Sequence, residues 1–178
     1  YQKEGFADAV VDYEVKSGPI KPFLYITIKI KEGKKYLVGN VTIQGNNYIS
    51  KDDILAKLKE CVPGEVFSQE ALKQDTFNIQ NLYFDRGYIF AQVDEATSLN
   101  SYTGRIDIAY NITENEVAYV DKIKIRGNVK TKDVVIRREL RIRPGDRFDG
   151  GKLKRSKERL QNLGFFEDVN YDTENTAA

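Results

Sequence analysis

The sequence predicts an α+β protein that repeats a β-α-α-β-β module, in which two helices cover one face of a three-stranded mixed sheet. The first observation is the repeat itself. Residues 41–46 read VTIQGN and residues 123–128 read IKIRGN, and the Pro-Gly pairs at 63–64 and 144–145 follow at nearly the same offset. The second observation is a change of period within each repeat, because alternating apolar residues give way to apolar residues at helical spacing. Repeats of this kind each form one structural unit.

The strands are predicted from alternation. Two segments alternate apolar and polar residues and stop at a Gly-Asn pair, which tolerates positive φ. Two further pairs of alternating segments are expected to form hairpins, each with one face buried against helices and the other in water. The two first strands are 36–44 and 118–126, and the hairpins are 89–96 with 105–112 and 9–16 with 23–31.

The first helix of each module is predicted from its cap residues. Ser50 is suited to accept hydrogen bonds at the start of one helix, and Thr131 and Asp133 are expected in that role in the next module. The Pro-Gly pairs at 63–64 and 144–145 are expected to end these two helices.

A second helix follows in each module. It is expected to begin after Ser68 in one copy and after Asp149 in the other, since both residues are good N-caps. Gly87 and Gly164 stand where a left-handed residue would end these helices.

The repeat divides the chain into three predicted segments. Residues 1–34 form the C-terminal part of one module, residues 35–116 a complete module, and residues 117–178 a last module without its final strand. The similarity of residues 1–10 to residues 83–93 supports the first of these. Because the chain contains no methionine, we expect it to be part of a longer polypeptide.

Composition argues against catalysis. Histidine, the commonest general base and metal ligand, is absent, and no Walker, dinucleotide or paired-carboxylate motif occurs. Cys61 aligns with Ile142, so we expect a buried apolar position rather than a nucleophile. The lone cysteine leaves the redox compartment open. The sequence therefore predicts no enzyme and no catalytic, cofactor-binding or metal-binding residues.

Charge is unevenly distributed along the chain. Residues 122–159 carry 15 basic and 5 acidic side chains, a net charge of +10, although the whole chain carries only +1. Nucleic acid is not expected as the partner, because the sequence has no RNP-type aromatic motif and no GxxG loop. The acidic remainder would also repel phosphates.

The order of these elements resembles that of polypeptide-transport-associated (POTRA) domains. The likeness rests on the strand that ends in Gly-Asn, on Pro-Gly followed by Phe between the helices, and on Gly-Tyr or Gly-Phe before the hairpin. More specifically, residues 137–140 (RREL), 157–160 (KERL) and 163–169 (LGFFEDV) resemble the last POTRA domain of BamA-type outer-membrane assembly factors. The resemblance covers essentially the whole chain.

This resemblance implies a periplasmic arm of an outer-membrane protein, joined to the membrane through a C-terminal barrel that residues 1–178 do not include. In that family the arm receives unfolded outer-membrane proteins and holds accessory lipoproteins, which would be the partners here. Two alternatives stay open: the arm of a two-partner-secretion transporter, and a passive spacer array.

The first candidate site is a sheet edge. In POTRA domains the second strand lies at the edge, where an extended client could pair with unpaired backbone groups. The alternative is a merely solvated edge, protected by its two carboxylates. The predicted client-binding residues are Ala91, Gln92, Val93, Asp94, Glu95 and Ala96.

The second candidate site is a basic surface on the last module. It would dock an acidic protein partner or anionic lipid head groups, although a charged helix face is often only solvated. Its predicted residues are Arg137, Arg138, Arg141, Arg143, Lys152, Arg155 and Arg159.

Overall fold

The computed structural model describes residue 6 and residues 9–18, 23–100 and 102–174. No helix in these ranges is long and apolar enough to cross a membrane. The elements, in chain order, are β1 (Val10–Ser17), β2 (Leu24–Lys31), β3 (Leu37–Gln44), α1 (Lys51–Leu55), α2 (Gln69–Asp85), β4 (Gln92–Asn100), β5 (Arg105–Thr113), α3 (Asp133–Glu139) and α4 (Gly150–Asn162).

The chain forms two compact units. The first contains residues 1–79 and 93–112, and the second contains residues 80–92 and 113–178. The predicted fold class is confirmed, since the first unit is built on a three-stranded mixed sheet with helices.

The sheet of the first unit has the strand order β3-β5-β4, so that the last strand in sequence is central. β3 and β5 run parallel, and their register shifts between Val38 and Val41. Gly39 lies at this irregularity, where a Cβ would stand 2.1 Å from Oδ1 of Asp107. The same carboxylate oxygen accepts a hydrogen bond from the backbone N–H of Asn40 at 2.7 Å. A side chain at position 39 would therefore displace the Asp107 carboxylate and break its hydrogen bond to Asn40.

The core of the first unit lies on one face of this sheet. Alternate residues of β5, from Ile106 to Ile112, are buried, as the period of a half-buried strand requires. The helices add Ile54, Leu72 and Ile79, each at most 1% exposed. Cys61 is 1% exposed and Ile142 is 4% exposed, which confirms that the two aligned positions are both buried.

β1 and β2 form the predicted antiparallel hairpin, in register from Val10 opposite Lys31 to Ser17 opposite Leu24. The expected burial of one face is wrong, because Ile26 and Ile28 are more than 60% exposed. The physical reason is that the described part of the chain before Val10 contains no helix to cover them. Residues 1–5, 7 and 8, on which the proposed likeness to 83–93 depends, lie outside the described residues.

The caps are confirmed in three of four helices. The side chain of Ser50 accepts a hydrogen bond from the N–H of Asp53, and that of Asp149 accepts one from Lys152. Ser68 accepts one from the N–H of Ala71 at the start of α2. The predicted capping by Thr131 is wrong. Lys132 occupies the N-cap of α3 without a side-chain hydrogen bond, because the amide of Asn128 instead bonds the Thr131 carbonyl and the Asp133 carboxylate.

The Pro-Gly pairs do not end the first helices, which stop earlier, at Leu55 and Glu139. Instead each pair forms a turn that hydrogen-bonds back to the start of its module. The N–H of Gly64 donates to the carbonyl of Val38 at 2.9 Å, and the N–H of Gly145 donates to that of Val120 at 2.7 Å. Both glycines have the positive φ that such a turn requires.

The predicted strand at 118–126 is not formed. Within the described residues of the second unit, this segment makes one isolated bridge, from Tyr119 to Arg147. In the first unit β3 is held by β5, and the second unit offers no counterpart of β5 among its described residues. Without a partner, the segment cannot form a ladder.

Candidate functional site: an open sheet edge and a basic surface

Five of the six predicted client-binding residues belong to β4, an edge strand of the three-stranded sheet. β4 neighbours β5 on one side only. Gln92 to Ala96 belong to β4, whereas Ala91 precedes it and donates its N–H to the carbonyl of Tyr88 at 3.1 Å. Five of the six predicted residues are therefore on the edge strand.

Side chains alternate along this edge. Val93 is 5% exposed and belongs to the core, whereas Gln92, Asp94 and Ala96 are exposed. Glu95 is half-buried, and its Oε2 accepts a hydrogen bond from Oγ1 of Thr76 on α2 at 3.4 Å. An inward-turned carboxylate on an edge strand discourages unselective pairing with other sheets.

The edge is longer than the sequence predicted, because β4 continues to Asn100. Oδ1 of Asn100 accepts hydrogen bonds from the N–H groups of Tyr102 and Thr103, and its carbonyl accepts one from Gly104. The Asn-to-Gly spacing around residues 100–104 was the signal in the sequence for this turn. Ser98 and Leu99 thus extend the edge beyond the six predicted residues.

The predicted basic residues occupy three consecutive stretches of the second unit. Two lie on α3, two in the loop after it, and three on α4. Their side chains differ in how far they are already engaged within the protein.

Two of the arginines flank one carboxylate. Arg159 donates from Nε and Nη2 to Oε2 of Glu139, at 3.0 and 2.5 Å, and Nε of Arg138 lies 3.4 Å from Oε1 of the same residue. The hydrogen bond from Arg159 is the main cause that lowers the pKa of Glu139 below its ordinary value. Part of the predicted positive surface is therefore neutralised by Glu139.

Two others are bonded to backbone carbonyls. Arg137 donates to the carbonyl of Ile123 at 3.2 Å and lies 3.9 Å from Asp133, and Arg155 donates to the carbonyl of Gly151 at 3.1 Å. The members exposed without such a side-chain bond are Arg141, Arg143 and Lys152. These three are the best placed to meet a partner.

Two neighbouring basic residues, Lys154 and Arg147, instead make contacts within the second unit. Nζ of Lys154 lies 3.1 Å from Asp85 at the end of α2. Arg147 donates to the carbonyl of Arg86 at 2.6 Å and lies over the ring of Tyr88. These contacts were not predicted from the sequence, because they join residues more than 50 positions apart.

In the described ranges, no group of three or more Cys, Asp or Glu residues is arranged to hold a metal ion.

Comparisons with known proteins agree with this architecture. The POTRA family model, described as surface antigen variable number repeat, matches residues 36–115 and 118–178. The outer membrane protein assembly factor BamA of Neisseria meningitidis serogroup B is 33% identical over 174 residues, which is 97% of this chain and 22% of that protein. BamA of Nitratidesulfovibrio vulgaris is 32% identical over 179 residues, 96% of this chain and 22% of that protein. The chain thus spans about a fifth of the length of these curated relatives.

Solved structures share the fold. The crystal structure of Haemophilus influenzae BamA POTRA3-5 superposes with a TM-score of 0.76 at 22% identity, covering 95% of this chain and 67% of that one. BamA from Haemophilus ducreyi lacking POTRA domains 1-3 gives a TM-score of 0.62 at 27% identity, covering 76% of this chain and 25% of that one. Together with the strand order and the repeated helix pairs, these matches show that the chain belongs to the POTRA family, as tandem POTRA domains of the BamA type.

Proposed function

We propose that this chain is the periplasmic arm of an outer-membrane protein assembly factor, which binds unfolded outer-membrane proteins by strand addition and docks accessory lipoproteins. It acts by binding and positioning polypeptides, without catalysis. The names of the curated relatives support the assembly role, and the open edge of β4 is the observation that carries the binding mode.

Strand addition suits a receiver of many clients. Backbone N–H and C=O groups on an edge strand pair with any extended segment, so that affinity does not depend on one client sequence. The exposed residues Gln92, Asp94 and Ala96 are small or polar and leave the backbone accessible. The inward position of Glu95 limits pairing with folded sheets while the edge stays open to a single strand.

The test is an NMR titration of the isotopically labelled chain with a strand-forming peptide from an outer-membrane protein. We expect shifts concentrated on 92–100 that persist in moderate salt, because backbone hydrogen bonds are weakly screened. Shifts confined to α3 and α4 and lost in salt would contradict strand addition and favour charge-driven docking.

A pair of proline variants sharpens this test. The N–H groups of consecutive strand residues point to opposite sides of the strand. Of Asp94→Pro and Glu95→Pro, one therefore removes an N–H that bonds β5, and the other removes an N–H that points outward from the open edge. The variant that lacks only the outward N–H should keep the wild-type melting temperature, because no hydrogen bond to β5 is lost. That variant should nevertheless lose peptide binding. Unchanged peptide binding by both variants would contradict strand addition at β4 and favour the alternative of a passive spacer. Proline at Val93 is less informative, because that side chain is buried.

The docking role rests on the three predicted basic residues that are exposed without a side-chain bond, Arg141, Arg143 and Lys152. Positive charge concentrated in 122–159, while the rest of the chain is acidic, steers an acidic partner toward α3 and α4. A double Arg141→Glu and Arg143→Glu variant should weaken capture of an accessory lipoprotein, and raised salt should weaken wild-type capture in parallel. The matched control is Lys51→Glu with Lys57→Glu, which makes the same change of charge on exposed residues of the first unit. Equal loss in both variants would count against a defined docking surface.

A further inference from the structure

The first unit carries a shallow groove of about 580 Å³ that neither candidate surface uses. It lies between the loop after α1 and the first turns of α2. Its lining is partly apolar, since Val62 is 42% exposed and Val66 and Ala71 are half-buried. The charged residues of the lining are one basic and three acidic, Lys59, Glu60, Glu65 and Glu70. The groove thus combines apolar surface with net negative charge.

Two of these carboxylates are available to a partner. Glu60 and Glu65 are exposed, and within the described ranges neither side chain makes a hydrogen bond or an ion pair. The N–H groups of the loop at 59–61 do not need them as acceptors, because all three are bonded to Asp75. The charges of Glu60 and Glu65 are therefore not used to hold the first unit together.

The equivalent surface of the second unit carries the opposite charge. At the 81-residue offset of the Pro-Gly pairs, the nine lining positions of the groove become five basic and two acidic residues. Three of the five are the basic residues that are exposed without a side-chain bond. These are Arg141, Arg143 and Lys152, at the positions of Glu60, Val62 and Ala71. The two repeats therefore present the same surface with charges of opposite sign.

The basic surface suits the groove in chemistry as well as in charge. Arginine has a guanidinium group that pairs with carboxylates and an aliphatic stem that packs on apolar surface. Arg141 and Arg143 are two residues apart in one loop, so their Cα atoms lie no more than about 7 Å from each other and both can reach one groove. Their stems would cover Val62 while their guanidinium groups bind Glu60 and Glu65.

We propose that the groove of the first unit binds the basic surface of the second unit in another copy of this chain. Glu60 and Glu65 of one copy meet Arg141 and Arg143 of the other. The contact joins two different surfaces, so each bound pair keeps one surface of each kind free and further copies can add. The contact goes beyond the proposed function, because it needs neither a client nor a lipoprotein. A lipoprotein docked at Arg141 and Arg143 would exclude it.

The test is sedimentation equilibrium of the 178-residue chain alone, from micromolar to millimolar concentration. We expect the average mass to rise with concentration at about 0.1 M ionic strength and to stay that of the monomer at about 1 M, where the Debye length falls to about 3 Å. Glu60→Lys with Glu65→Lys should weaken self-association about tenfold or more, because like charges then meet. Arg141→Glu with Arg143→Glu should weaken it to a similar degree.

Combining the two pairs of substitutions separates a defined contact from a general effect of charge. The fourfold variant has both surfaces inverted and the wild-type net charge of +1, so it should self-associate as the wild type does. The matched control joins Glu60→Lys and Glu65→Lys with Lys31→Glu and Lys51→Glu, which are exposed positions outside both surfaces. Its net charge is also +1, but its groove and its basic surface are both positive, so it should self-associate as weakly as the groove variant.

Several results would overturn the proposal. A control that self-associates as strongly as the fourfold variant would reduce the effect to net charge. Self-association that both pairs of substitutions leave unchanged would place the contact elsewhere, such as the open edge of β4. A chain that stays monomeric at low salt, but whose groove signals shift in NMR on addition of a short arginine-rich peptide, would assign the groove to a different basic partner. None of these results decides client binding at β4, which the peptide titration tests separately.

Discussion

The backbone N–H of Cys61 donates a hydrogen bond to Oδ2 of Asp75 at 2.8 Å, and both residues are at most 1% exposed. The N–H groups of Lys59 and Glu60 donate to the same carboxylate, at 3.0 and 3.2 Å. One side chain of α2 thus satisfies three consecutive donors of the loop after α1. At the equivalent position of the second repeat, 81 residues later, Oγ of Ser156 accepts the N–H of Arg141 at 2.8 Å.

Replacement of Asp75 should destabilise the first unit strongly. Asp75→Ala leaves the buried N–H of Cys61 and two part-buried N–H groups without their acceptor, and we expect a loss of about 3 kcal/mol in the free energy of unfolding, measured by urea denaturation. Asp75→Ser should lose less, because serine satisfies this position in the second repeat. Gln74→Ala, on the exposed side of α2, is the control and should change stability little. Equal stability of Asp75→Ala and Gln74→Ala would show that the loop is not held by this carboxylate.

The thiol of Cys61 should be unreactive in the folded protein. Burial, with the nearby charge of Asp75, raises the pKa of Cys61 to about 11 from an ordinary 9.0. The reactive thiolate is therefore about a hundredfold scarcer at pH 8 than in an unfolded chain. Labelling with a thiol reagent should be slow in buffer and fast in concentrated urea. Rapid labelling of the folded chain would mean that the loop after α1 opens readily.

Sequence patterns predicted what depends on neighbours along the chain. Ser50 and Asp149 could be recognised because a cap acts within three residues. The edge position of 92–96 was implied by the resemblance to POTRA domains and not by the pattern of these residues. Asp75 was missed because its partners lie 14 to 16 residues away. The segment 118–126 was predicted as a strand from alternation that is present, but a strand also needs a partner, which alternation does not supply.

The same limit applies to the basic surface. Spacing on α4 correctly placed Lys152, Arg155 and Arg159 on one helix, but charge counting could not show that Glu139 engages Arg159 or that Ile123 engages Arg137. Whether a charged side chain is available to a partner depends on contacts between elements, and these are set by packing.

The pKa of Glu139 should report the contact between α3 and α4. It lies below the ordinary glutamate value, chiefly because Arg159 donates to the carboxylate. Since the folded pKa is lower than the unfolded one, this contact stabilises the protein above the ordinary glutamate pKa and is lost as the pH falls through the lowered value. Arg159→Gln should raise the pKa of Glu139 in a carbon-13 NMR titration of its carboxyl group. Arg155→Gln, one turn earlier on α4, should leave that midpoint nearly unchanged, and a shift of equal size would contradict a specific role of Arg159.

Gly150 and Gly151 should respond very differently to the same substitution. A Cβ on Gly150 would lie 2.5 Å from Cδ1 of Phe84 and 2.7 Å from Oδ1 of Asp85, whereas one on Gly151 would come no closer than 3.2 Å to the end of Asp149. Phe84 cannot easily move aside, because its ring packs edge-on against Phe148 with the centroids 4.9 Å apart. Gly150→Ala should therefore cost the second unit about 2 kcal/mol in urea denaturation through overpacking.

Gly151→Ala is the matched control for this prediction. It adds the same methyl group to the first turn of α4, where alanine favours the helix by roughly 1 kcal/mol over glycine at an interior position. We expect its stability to equal or exceed that of the wild type. If Gly150→Ala were as stable as Gly151→Ala, the end of α2 would not be packed closely against the start of α4. In that case the contacts of Lys154 with Asp85 and of Arg147 with Arg86 would not depend on close packing between these two helix ends.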